Sequence, residues 1–296
     1  MNLVDKILQS VTGLSPFPVV MDRVIQIIND PKSSAQDVVD VIQYDQSITA
    51  SVLKVCNSSY FGLRRTVHSL REALVIIGFN QLLEIILGQG SSNLLARPCK
   101  GYNLQAGALW QHSVGCALLS RIIKKRLRKE ASFAHFTAAL VHDIGKVTLG
   151  QFVQDYLEDI KKLVRHEHLT FTEAEKKVLG IDHAELGEKI AEQWNFPENI
   201  VYAVRYHHTP SLTTDHHDIV QTVYISDLIT MVAGIGGGAD DLSYQQCKEV
   251  LNQYNLKEKD IDEILVHLKD RFELVQEVVG GEPLPEIGLD ASAGVA

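Results

Sequence analysis

"FTAALVHDIGKVTL", residues 136–149, is the stretch on which the reading of this chain turns. Phe136, Ala139, Leu140 and Val141 crowd toward Ile144 and Val147 and predict a helix meant for burial. Yet His142 and Asp143 stand side by side in the middle of it. Two adjacent ionisable groups cost several kcal/mol to bury unless something pairs with them. A partner side chain, an ion or a water-filled cleft should therefore lie close by.

Outward from this stretch, helical periodicity runs from end to end, and only short runs such as "ALVIIGF" (73–79) could be argued as strand. The fold class is read as all-α, a multi-helix bundle. "LSPFPVVMDRVIQIIND" (14–30) opens a helix after Pro16 and Pro18, with Val20, Val24, Ile27 and Ile28 on one face and a stop at Asp30 and Pro31. Ser33 or Ser34 caps the next helix, "QSITASVLKVCNSSYF" (46–61) continues the pattern, and "SLREALVIIGFNQLLEIILGQG" (69–90) predicts two helices broken near Gly78. "LLARPCKGYN" (94–103), with Pro98 and Gly101, is the candidate boundary. An N-terminal helical subdomain then spans 1–100 and a second helical unit 101–235. Further amphipathic helices fill 236–279, two of them within 243–279, and a frayed tail covers 280–296.

The second unit opens with "LQAGALWQHSVGCALLSRIIKKRLRK" (104–129), a long amphipathic helix carrying His112. A charged helix around "YLEDIKKLVRHEH" (156–168) and the helix "DHAELGEKIAEQWNF" (182–196), capped by Asp182, follow. Pro197 suits a helix start, and Pro210 disfavours α geometry at Thr209, so His207 and His208 fall at that helix's end. "DIVQTVYISDLITMVAGIGGG" (218–238) carries Asp227 and ends on a flexible "GIGGG" stop.

The chain has 296 residues, 45% apolar and 22% charged, enough for one large domain or two modest ones with a real core. A net charge of -9 argues against non-specific nucleic-acid binding. Cys56, Cys99, Cys116 and Cys247 form no C-x-x-C pair, so neither a zinc ribbon nor a disulfide framework is indicated and a reducing cytoplasm fits best. The start "MNLVDKILQSVTGL" has no signal-peptide core, and no run approaches about 18 uninterrupted apolar residues, so no membrane span is expected.

His112, His142 with Asp143, His183, His207 with His208, and Asp227 lie inside or at the ends of apolar helices, in five separate segments. Imidazole plus carboxylate is the ligand set of zinc, iron, manganese or nickel, and facing helices can converge such groups. Bland roles compete. His112 alone reads as a core histidine bonded to backbone, and Cys116, one turn later on the same face and able to approach the site, as a small buried thiol. "RHEH" (165–168), "DHHD" (215–218) and the basic run 121–130 read as solvated surface.

"HDIGK" (142–146), preceded by His112 and followed by Asp227, resembles the central pattern of the HD superfamily of metal-dependent phosphohydrolases. "NSSYFG" after "YDQSITASVLKV", then "IIGFNQL", "LWQHSVGCA", "VHDIGKVTL" and "DHAELGEKIAEQWNFPENIVYAVRYHHTP" look like the HDOD family, a signal-output branch, over roughly residues 14–235. The resemblance implies an HD-domain-like bundle in which His112, His142, Asp143 and Asp227 ligate one metal. Comparison with the two-metal HD-GYP branch adds His183, His207 and His208 around a second, with Asp143 bridging. Departures from that branch are Ala108 in place of a glutamate before the first histidine and "HHTPSL" in place of the glycine-tyrosine-proline motif, which makes cleavage of cyclic dinucleotides doubtful. The cofactor implied is one or two divalent or trivalent ions, iron first, with manganese, zinc or nickel as alternatives. Such ions activate water and neutralise phosphoryl charge. As an enzyme, the chain would use Asp143 and Lys146 as catalytic residues, Lys146 meeting a substrate phosphate, although a lysine near a helix end can simply complement the macrodipole. Two functions follow: a bacterial signal-transduction output protein working through a protein partner, or a phosphohydrolase acting on a nucleotide or phosphate ester.

Overall fold

The structure, a computed structural model, describes residues 2–12, 19–30, 32–58, 61–63, 65–129, 132–238 and 254–279. Among them there is no strand, only an isolated bridge between Cys99 and Leu104. The helices are α1 (Leu3–Thr12), α2 (Val19–Asn29), α3 (Ala35–Ile42), α4 (Gln46–Cys56), α5 (Leu70–Leu95), α6 (Ala108–Arg126) and α7 (Phe133–Val141). They continue with α8 (Ile144–Glu167), α9 (Phe171–Leu179), α10 (His183–Gln193), α11 (Glu198–Tyr206), α12 (His217–Val232) and α13 (Glu258–Val279). The first helix expected in 243–279 and the tail 280–296 lie outside the described residues.

Local chemistry sets the starts and breaks. Ser34 caps α3 in a box with Asp37, Asp45 caps α4 through Ile48 N, and Ser69 caps α5 through Glu72 N. Each side-chain oxygen satisfies an amide that the first turn leaves without a helical partner. Gly78 breaks α5 at φ 77, ψ 164, a backbone state that excludes most other residues. One apolar cluster runs from Ile7 to Phe272 and joins the N-terminal helices to the rest. Across it, α13 packs on α4, α5 and α6.

The helix expected across 136–149 is two helices. α7 stops at Val141, His142 is its cap, and Asp143 at φ -95, ψ 14 turns the chain into α8. A continuous helix would turn neighbouring side chains about 100° apart. The break frees both to face one point, and α8 then absorbs the charged helix expected separately. The basic run 121–130 also departs from expectation, because Arg121 pairs with buried Glu84 and buried Lys124 donates to Asp218. Asp218, from the "DHHD" string read as surface, also lies 3.0 Å from Nε2 of buried His135. These ties lock α6, α7 and α12 together and leave only part of each run to solvent.

The 94–103 segment is a tight join. Cys99 donates to Lys146 O at 3.2 Å, and a Cβ on Gly101 would stand 2.1 Å from Gly150 O. The same closeness recurs at Gly145, where a Cβ would fall 1.9 Å from His183 O. The glycine of "HDIGK" therefore lets α10 approach α8 closely enough to bring His183 beside Asp143. Gly145→Ala is expected to destabilise the fold by about 1–3 kcal/mol through overpacking, read as a lower urea midpoint with an unchanged slope.

Candidate metal centre

Five segments aim side chains at one buried point. His112 comes from α6, His142 and Asp143 from the α7–α8 break, His183 from the first position of α10, His207 and His208 from the end of α11, and Asp227 from the middle of α12. Asp227, His112, His142, Asp143, His183 and His207 are all buried. All seven residues singled out as ligands in the sequence thus meet, and Lys146 lies beside them.

Hydrogen bonds set the orientation of the rings. Nδ1 of His142 lies 2.7 Å from Ala139 O, Nδ1 of His207 2.7 Å from Val204 O, and Nδ1 of His112 3.3 Å from Ile235 O. Nδ1 of His183 lies 2.8 Å from Glu175 Oε2. A carbonyl or carboxylate only accepts, so each Nδ1 carries a proton and each Nε2 turns its other face inward. Sequence reading missed this outer support. Glu175 is one of several acidic residues on a charged helix, with nothing in the pattern to mark it as buried; it accepts from His183 N at 3.0 Å and from the Tyr102 hydroxyl. "GIGGG" was expected to be a flexible stop, yet Gly234 and Gly236 take φ near 71 and 70 so that Ile235 is buried and its carbonyl reaches His112.

Asp143 stands between two histidine pairs. Its Oδ2 lies 3.7 Å from His112 Nε2 and 3.4 Å from His142 Nε2, and its Oδ1 lies 3.6 Å from His183 Nε2 and 3.5 Å from His207 Nε2. Asp227 Oδ1 is 3.0 Å from His112 Nε2 and 3.8 Å from His142 Nε2, and His208 Nε2 is 2.9 Å from His183 Nε2. Two donor groups result, one of His112, Cys116, His142 and Asp227 and one of Asp143, His183, His207 and His208, each with ligand atoms within 4.8 Å of one another. His142 Nε2, His207 Nε2 and Asp143 Oδ1 have no hydrogen-bond partner. Buried polar atoms are rarely left so, and three converging ones match what a cation with nitrogen and oxygen donors requires. These residues therefore fit one or two metal ions, with Asp143 able to share an oxygen with each.

Without an ion, protons and Lys146 carry the positive charge. Burial opposes a charged His142, but Asp143 above all overcomes it and pushes the ring up to about 9. Burial also opposes ionised Asp143, yet His142 and then Lys146 hold it well below the usual carboxylate range. His207 goes the other way, lowered to about 4 by burial. Lys146 Nζ donates to Asp143 Oδ2 at 2.7 Å and sits 5.6 Å from the Tyr102 ring centroid. A cleft lined by His112, Asp143 and Lys146 with Leu104, Leu109 and Met231 has about 10 Å³ of room, roughly one water.

An all-helical bundle that converges imidazoles and carboxylates from several of its helices is the class defined by this fold and site. Residues 14–210 match the HDOD domain family, and the chain belongs to it. Over 229 residues it is 20% identical to an uncharacterised protein of Treponema pallidum (strain Nichols), covering 77% of this chain and 44% of the relative, so it spans less than half of that relative's length. Among solved structures, an HDOD domain protein of unknown function from Geobacter sulfurreducens is 25% identical at a TM-score of 0.67, covering 93% of this chain and 98% of its own. A candidate phosphohydrolase from Shewanella amazonensis SB2B has a TM-score of 0.69 at 18% identity, covering 92% and 97%. A candidate signal-transduction protein from Marinobacter aquaeolei VT8 has a TM-score of 0.69 at 22% identity, covering 95% and 61%. No helix among the described residues is long and apolar enough to cross a membrane.

Two outcomes are expected. Glu175→Gln keeps the shape but removes the charge that steadies His183, so manganese or zinc affinity by calorimetry should fall about 10–100-fold while helical circular dichroism is retained. Because His142 holds its proton up to about 9, metal binding at neutral pH must displace it. Apparent affinity should therefore fall at least about tenfold per unit as pH drops below that value, and calorimetry in buffers of different ionisation enthalpy should register proton release.

Proposed function

We propose that this chain is an HDOD output protein of cytoplasmic signal transduction. In this reading a buried metal centre, with iron as the first candidate ion, fixes the arrangement of its helices, and a protein partner reads that arrangement. The observation that carries it is that the donors are buried among the helices, with a cleft lined by His112, Asp143, Lys146, Leu104, Leu109 and Met231 beside them. The residues argued to hold the ion, His112, His142, Asp143, His183, His207, His208 and Asp227, come from segments distributed from α6 to α12, so binding would brace most of the second half of the chain. The N-terminal subdomain, 1–100, supplies the recognition surface. In support, Tyr44 at 83% and Val75 at 81% are the most exposed of the large apolar side chains among the described residues, and both lie there.

A second reading, hydrolysis of a phosphate ester, draws on Lys146, whose ammonium lines the cleft beside Asp143. There Asp143 would orient the attacking water and Lys146 would meet a phosphoryl oxygen, which requires the cleft to open.

The test is elemental analysis of protein purified without chelator, followed by thermal unfolding and a phosphodiesterase and nucleotidase screen of the loaded chain. About one or two equivalents of metal, a melting temperature raised by several degrees and no turnover are expected. Turnover that disappears in Asp143→Asn would overturn the output reading in favour of the enzyme.

A further inference from the structure

The sequence reads Cys116 as a small buried thiol within reach of the site, and its surroundings give it more to do. It lies one turn after His112 on α6 and is fully buried. Its Sγ is 3.5 Å from His112 Nε2, the ring nitrogen turned toward Asp143 and Asp227, and 3.3 Å from Thr230 Oγ1. The Thr230 hydroxyl already donates to Ser226 O at 2.7 Å, so its oxygen accepts the thiol proton and the sulfur lone pairs are left facing the imidazole. Close approach of α12 makes this contact, since a Cβ on Gly115 would stand 3.1 Å from Thr230 Cγ2.

The spacing suits ligation. Around a tetrahedral ion, with metal–sulfur near 2.3 Å and metal–nitrogen near 2.0 Å, sulfur and nitrogen lie roughly 3.5 Å apart. His112 and Cys116 have that separation, and both belong to the donor group completed by His142 and Asp227. An independent observation points to the same place: His142 Nε2, fully buried, faces this group with no hydrogen-bond partner. We propose that Cys116 is a thiolate ligand of the ion held by His112, His142 and Asp227, adding a sulfur donor to the nitrogens and carboxylate oxygens of this half of the centre. The assignment rests on the metal-binding reading above. On binding, the sulfur–hydrogen bond is replaced by a sulfur–metal bond and the proton leaves to solvent, with no change of oxidation state. A soft sulfur donor selects zinc, cobalt or iron over magnesium and manganese at this half.

Cobalt(II) provides the readout, because a thiolate ligand adds a near-ultraviolet sulfur-to-cobalt charge-transfer band that nitrogen and oxygen donors lack. The full chain titrated with cobalt should show that band, and Cys116→Ser should lose it while still binding cobalt. The chain carrying Cys56→Ser, Cys99→Ser and Cys247→Ser together should keep it, which assigns the sulfur even should the Cys116 variant fold poorly. Cobalt bound to the native chain without the band, or a band that survives in Cys116→Ser, overturns the ligand assignment and leaves the metal reading standing. A native chain that binds no cobalt, zinc or iron overturns both.

Discussion

The carboxylate of Asp143, held between four imidazoles, is the interaction to which the second half of this molecule is fitted. One oxygen faces His112 and His142, the other His183 and His207, all at 3.4 to 3.7 Å. A charge buried in that position is tolerable only when surrounded by groups that can answer it. The break between α7 and α8, the close glycine approach of α8 to α10, and the backbone carbonyls that receive the Nδ1 protons of His112, His142 and His207 all serve to aim those groups. Lys146 and the His142 proton answer that carboxylate from its own surroundings.

The outer support extends the same logic. Glu175 binds the backbone and ring of His183 and the hydroxyl of Tyr102, and Tyr102 lies in the packed join whose Cys99 reaches the Lys146 carbonyl. A change in the segment at 96–104 is thus transmitted to the ring of His183 and to the first turn of α8 through contacts that have little room to adjust.

Much of this is legible in the sequence. Helical periodicity gave the all-α class, Gly78 the kink of α5, Pro197 and Pro210 the ends around α11, and the residues of the "HDIGK" pattern the converging set. What escaped shares a physical origin. Glu175 and Lys124 are charged residues on charged helices, and their burial is decided by a distant partner that no local pattern announces. The glycines of 234–238 looked like a loose end because glycine permits both mobility and a tight, positive-φ turn, and only the His112 hydrogen bond to Ile235 selects the second. The break at His142 was hidden because both halves are strongly helical on either side of it.

The centre draws its donors from positions as far apart as His112 and Asp227, so no local segment can build even half of it. Contacts between such remote residues form only after much of the chain entropy has already been lost, which slows the search for the native state. An ion recognised by the complete constellation would therefore have little purchase on the unfolded chain and would act by slowing escape from the finished fold. In a cell, the lifetime of this protein against proteolysis would then track the supply of that ion, and metal availability would set how many copies persist.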